Sequence, residues 1–217
     1  TLGPTFEAYR RLHLVRVRPE WLDHASLVTY GFEDLAVGDP VGNVVGGGGW
    51  SLNLSPIGSP TTVAGEHHST AVHLQDGAHL CTGATNGAVD FEQRDSFALE
   101  ATFRTTAHAD GGTNGSGALL TKTAVGTTPA WWLRVEDGQI RFLMAQCPGL
   151  QINCGLITGA CSSLGGCSNI TVQGGPVVSD GQWHHVRIVR DAEAEMLTLE
   201  LDGAVVETNA APSSGIA

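Results

Sequence analysis

The chain has 217 residues, 41% of them hydrophobic, with a formal net charge of −11 and only 11 Lys+Arg. A chain this acidic lacks the basic face of a nucleic-acid binder and is repelled by an anionic membrane surface. No run of about 18 apolar residues suggests a transmembrane helix, and 29 glycines with frequent Thr, Ser and Val favour strands joined by tight turns.

Residues 1–26 read as a β-prone arm and linker, set apart from a domain at 27–217. The opening Thr1-Leu2-Gly3-Pro4 lacks a Met and reads as a processed or trimmed end. Arg10, Arg11, Arg16 and Arg18 give the following strand one basic face. Its apolar alternation runs Leu12, Leu14, then shifts phase to Val15, Val17, as across a bulge, and Pro19 stops it. Residues 27–32 form the next strand, and 38–61 are Gly/Pro/Ser-rich and loop-like. Residues 71–74 and 79–81 flank Asp76-Gly77, a hairpin signal. Phe97, Leu99, Ala101 and Phe103 alternate as a half-buried strand, and a Gly/Asn/Ser loop follows at 109–117. Residues 131–135 and 139–145 flank Asp137-Gly138, a second hairpin. Strands at 183–189 and 196–201 are joined by a polar link, and Asp202-Gly203 turns the chain again. Short strands at such regular spacing predict an all-β sandwich.

The cysteines are four bunched, Cys147, Cys154, Cys161 and Cys167, and one distant, Cys81. The bunched four are separated by six, six and five residues, which is not the close-pair spacing of a zinc site. A Gly/Ser-rich segment has little core of its own, so disulfides are the expected way to order it. Four cysteines allow three pairings. Cys81 is then either a buried thiol or bridged to one of the four.

The order of segments resembles the laminin G-like branch of the concanavalin A-like jelly rolls. The residues that carry the resemblance are Leu27-Val28-Thr29-Tyr30-Gly31-Phe32-Glu33-Asp34, Ala71-Val72-His73-Leu74-Gln75-Asp76-Gly77, Ser96-Phe97-Ala98-Leu99-Glu100-Ala101-Thr102-Phe103 and Ala118-Leu119-Leu120-Thr121-Lys122. The most specific are Asp180-Gly181-Gln182-Trp183-His184-His185-Val186 and Leu197-Thr198-Leu199-Glu200-Leu201-Asp202-Gly203. The resemblance implies a two-sheet antiparallel jelly-roll sandwich of the concanavalin A-like kind, here with a cysteine-rich loop insertion at 146–176. It also implies a last strand, which is not seen in the sequence. The strand of Leu12, Leu14, Val15 and Val17 is the candidate to fill that place, in cis or donated to a neighbour. In the Trp183 motif, Trp183 is expected between the sheets, with a packed histidine beside it.

Catalysis has no candidate residues. Paired carboxylates on one strand, as in a glycosidase, are missing, and Glu193 and Glu195 fall in a predicted turn. No nucleophile elbow, zinc-protease helix or phosphate loop is present. His67, His68, His73 and His79 are a weak transition-metal set, because adjacent strand residues face opposite ways. The resemblance makes calcium the better metal, with Asp34, Asp39 and Asp110 as nearest ligands. Trp50, Trp131 and Trp132 are the candidate ligand-binding aromatics, with one of the adjacent pair facing out. Sequons at Asn53, Asn114 and Asn169 fall in predicted loops. The expected role is a non-catalytic extracellular module, secreted, on a cell surface or in a periplasm. Its expected partners are other protein subunits or further copies of itself, through strand pairing. The alternatives are a lectin-like glycan-binding domain, calcium-dependent or not, and an accessory domain of a secreted glycoside hydrolase or other enzyme.

Overall fold

Strict alternation places Phe97, Leu99, Ala101 and Phe103 on one face of β7 (Ser96–Thr105), and all four are at most 1% exposed. The same period sets β12 (Trp183–Asp191) and β13 (Met196–Leu201), whose Val186, Ile188, Leu197 and Leu199 are fully buried. The computed structural model describes residues 6–17, 28–32, 35–42, 54–65, 70–74, 78–82, 95–106, 117–123, 129–146 and 168–211. The described residues hold strands and turns but no helix.

The remaining strands are β1 (Phe6–Val17), β2 (Val28–Gly31), β3 (Leu54–Ile57), β4 (Thr61–Ala64), β5 (Thr70–Leu74), β6 (His79–Thr82), β8 (Ala118–Thr123), β9 (Pro129–Glu136), β10 (Gln139–Gln146), β11 (Ser168–Gly174) and β14 (Ala204–Ala210). They form an eight-stranded sheet in the order β14-β13-β12-β7-β1-β5-β4, with β2 also on β1. A four-stranded sheet, β11-β10-β9-β8, and a two-stranded ribbon, β3-β6, complete the fold. All pairings are antiparallel. The architecture is a jelly-roll sandwich, and the large and small sheets bury one apolar core between them. Phe97 of the large sheet meets Phe142 of the small one with ring centroids 6.4 Å apart.

Strand β1 is an interior strand of the large sheet. One edge pairs with β7 from Phe6↔Thr105 to Val17↔Ser96. The other edge is shared by β5, through Phe6↔Leu74 and Tyr9↔Val72, and by β2, through Arg11↔Gly31 to Leu14↔Val28. The register irregularities lie between Phe6 and Ala8 and between Tyr9 and Arg11. The bulge expected between Leu14 and Val15 is therefore absent. Leu12, Leu14, Val15 and Val17 run in unbroken register opposite Ala101, Leu99, Ala98 and Ser96.

Three further expectations are corrected. Strands β5 and β6 are not a hairpin: β5 joins the large sheet while β6 pairs with β3, so the chain changes sheet around Asp76-Gly77. The loop-like stretch 38–61 contains β3, and Thr62 ties residues 36–39 to β4 through bonds to the Ala36 and Asp39 carbonyls. Trp183 does not sit between the sheets. It is half-buried opposite Arg104, whose guanidinium lies 5.4 Å from the ring centroid, and His184 takes the inward place against Phe103.

The edge strands β11 and β14 are stitched together by side chains rather than by a ladder. The Asn209 amide donates to the Thr171 carbonyl at 2.7 Å, and the Gln173 N–H donates to the Glu207 carboxylate. Gly175, at φ +93, allows the close approach, since a Cβ there would meet Leu201 and Val206 at 3.3 Å. Groups that an open edge would present to another chain are thereby satisfied.

Candidate functional site

The hairpin β9–β10 turns through Asp137 (φ 51) and Gly138 (φ 79), the backbone of a type I′ turn. Two-residue turns set register, so Glu136 pairs with Gln139, Arg134 with Arg141 and Trp132 with Leu143. These residues share the outer face of the small sheet, while Trp131, Leu133, Val135, Ile140 and Phe142 point into the core. Across β8 and β11 the rows extend to Thr121–Trp132–Leu143–Thr171 and Ala118–Arg134–Arg141–Gln173.

On this face the Arg134 guanidinium lies 4.0 Å from the Trp132 ring centroid, and that of Arg141 lies at 5.4 Å. Both donate to Glu136, Arg134 through Nη2 to Oε1 and Arg141 through Nη1 to Oε2. Glu136 is only 7% exposed. Burial pushes its pKa up, but the hydrogen bonds and charges of Arg141 and Arg134 outweigh it and hold the carboxyl below its ordinary range. Two cations and one anion leave the cluster with a residual positive charge on a strongly acidic chain. Cation–π contact and the buried carboxylate fix both guanidinium groups in place.

A second polar cluster ties two turns of the large sheet. His184 Nδ1 lies 2.8 Å from Asp202 Oδ2 and His184 Nε2 lies 3.1 Å from Asp180 Oδ1. Ionised carboxylates only accept, so the ring satisfies both when it is an imidazolium donating from each nitrogen. Burial pushes the His184 pKa down, and the bonds and charges of Asp202 and Asp180 more than reverse that, leaving it raised. This stabilisation is full below the ordinary value near 6.5 and is lost as pH rises through the folded-state value. Asp180 is held low first by the Gln182 N–H and then by His184, so its share is lost only as pH falls into the carboxylate range. Replacing His184 by Gln is expected to lower the melting temperature by about 2–4 °C at pH 6. The gap should narrow in melts taken at rising pH. A gap that stays constant would show that the ring acts by packing alone.

Residues 113–217 match the family model of the laminin G domain. Residues 113–217 are laminin G-like. No curated protein matches the chain. The match spans the whole small sheet and the β12–β14 meander, hence both polar clusters. Laminin G domains are generally non-enzymatic modules that bind proteins or glycans, and they are typically extracellular.

The expected site residues separate in the structure. Trp131 is a core residue, 3% exposed, and Trp132 is the outward member of the pair. Trp50, Asp34, Asp110, His67 and His68 lie outside the described residues. Asp39 is exposed, and it is its backbone carbonyl that works, accepting from the Thr62 N–H at 3.0 Å. Among the described residues no group of three His, Cys, Asp or Glu is placed to hold a metal. Cys81, in β6, is disulfide-bonded, while Cys147, Cys154, Cys161 and Cys167 lie outside the described residues. Glu193 and Glu195 are exposed in the β12–β13 turn, as expected. Asn169 falls in strand β11, inside the span read as insertion, rather than in a loop. Arg134, Arg141 and Glu136 did not figure among the expected site residues. Their signal was available, because Trp-x-Arg-x-Glu before a two-residue turn and Gln-x-Arg after it puts both arginines side by side.

Proposed function

We propose that this protein is a non-catalytic extracellular recognition module, secreted or displayed at a surface, that engages a protein partner through the outer face of its small sheet. The observation that carries this reading is the Trp132–Arg134–Arg141–Glu136 cluster at the centre of that face. Trp and Arg are the side chains most enriched where interface energy concentrates. A guanidinium 4.0 Å above Trp132 occupies the ring face on which a sugar would stack, which favours a protein over a glycan. Strand β1 is engaged on both edges, so exchange with a neighbour would break pairings already made, and we place the contact on the small sheet instead. The Cys81 disulfide and the family's habit support an oxidising compartment.

The test compares intact protein with Trp132→Ala for cross-linked partner capture from the extracellular fraction of its source, alongside a glycan array. Capture should weaken by about thirtyfold, the size of a strong interface residue, with the melting temperature unchanged. Retained capture by the variant would remove this face from the interface. Saturable glycan binding abolished by the same substitution would replace the protein reading with the lectin one.

A further inference from the structure

We infer that Arg134 and Arg141 form a receptor for a single carboxylate, and that the partner segment is an acidic peptide with an apolar residue beside its Asp or Glu; this rests on the recognition face proposed above. Like charges directly opposite one another in an antiparallel pair are destabilising, and Arg134 sits directly opposite Arg141. Glu136 offsets one of the two charges. Each guanidinium carries five N–H donors. Among the described residues, Glu136 accepts from Arg134 Nη2 and Arg141 Nη1, and the Nε of each is buried without a hydrogen-bond partner, which leaves Arg134 Nη1 and Arg141 Nη2 as the donors for a ligand. The pair is thus rich in donors and short of acceptors.

The pair is also within reach and held still. The side chains of Arg134 and Arg141 are 17% and 29% exposed, against 10% for Glu136 beneath them. Trp132 stacks beside them, so little rotamer freedom remains to be lost when a planar carboxylate meets the fork. The neighbouring row places Trp132 next to Leu143, an apolar shelf for the residue adjoining the acid.

The residual charge selects among oxyanions. One carboxylate neutralises one surplus positive charge. A phosphate dianion or a sulfated polymer would overshoot it and meet the field of a chain at −11. A short acidic–apolar peptide fits both constraints.

The experiment uses the intact protein, with the blocked peptide acetyl-Leu-Glu-Leu-amide, its twin acetyl-Leu-Gln-Leu-amide, and inorganic sulfate as probes. Arginine side-chain and Trp indole NMR signals report the site. The Glu peptide should shift the signals of Arg134, Arg141 and Trp132, and the Gln twin should bind about tenfold more weakly. Arg141→Gln and Arg134→Gln should each reproduce that loss for the Glu peptide. Twins that bind equally in the wild type, or no shift at the two arginines, would overturn the inference without recourse to any variant. Stronger shifts with sulfate than with the Glu peptide would overturn the choice of an acidic peptide. If Trp132→Ala loses the partner while Arg141→Gln keeps it, the recognition face stands and the carboxylate receptor falls. If the Glu peptide binds but Trp132→Ala keeps the partner, the receptor stands and the proposed interface falls.

Discussion

Leu12→Pro is expected to unfold the protein or to lower its stability by at least about 3 kcal/mol, a large part of the about 5–15 kcal/mol typical of a domain. Leu12 lies in the middle of β1, opposite Ala101 of β7 on one side and Tyr30 of β2 on the other. Both edges of the strand are engaged, so no N–H there is free to be given up, and proline is excluded from such interior positions. The cost extends beyond one bond. In the strand order, β1 is what joins β14-β13-β12-β7 to β5-β4 and β2, and its loss leaves two open edges in the core layer. Thermal melts of Leu12→Pro beside Leu12→Ala read the effect, since alanine keeps the N–H. A Leu12→Pro protein that melts within a degree or two of the wild type would mean that β1 is not an interior strand.

Phe142→Ala should cost about 3–5 kcal/mol, the usual range for deleting a fully buried phenyl group. Phe142 is 0% exposed on β10 and lies against Phe97 at 6.4 Å and 56°, so it is one of the side chains that join the two layers. Its neighbours Leu133, Ile140 and Val172 are also fully buried and belong to a close-packed interior that relaxes only partly around a void. Urea denaturation gives the difference directly. Val205→Ala is the control: that residue is 64% exposed on the edge strand β14, and its loss should stay within about 0.5 kcal/mol. A Phe142→Ala cost as small as the control's would contradict a shared core between the sheets.

Much of the candidate site could be read from local chemistry. The Asp137-Gly138 turn specifies a two-residue hairpin, and that hairpin specifies which of Trp131 and Trp132 shares a face with Arg134 and Arg141. What alternation leaves open is which of the two faces is the core. Trp131 and Trp132 satisfy either phase, and only packing against the large sheet turns Trp131 inward. The same ambiguity holds for Trp183-His184-His185-Val186. An apolar ring would ordinarily claim the interior, but Val186 must lie opposite Ala101 for β12 to match β7. That register sends Trp183 outward and His184 inward, where two aspartates make its burial tolerable.

The all-β class, the hairpin turns at Asp137-Gly138 and Asp202-Gly203, the strand pair β12–β13 and the laminin G-like pattern are legible in the sequence, because each rests on residues close together in the chain. Tertiary structure alone decided the place of β1 between β7 and β5, the parting of β5 from β6 across Asp76-Gly77, and the stitching of β11 to β14 by Asn209 and Glu207. A period of two says that a segment is a strand and which residues share a face. It carries no label for the neighbour across the hydrogen bonds, and that choice is made by the shape and burial of the finished core.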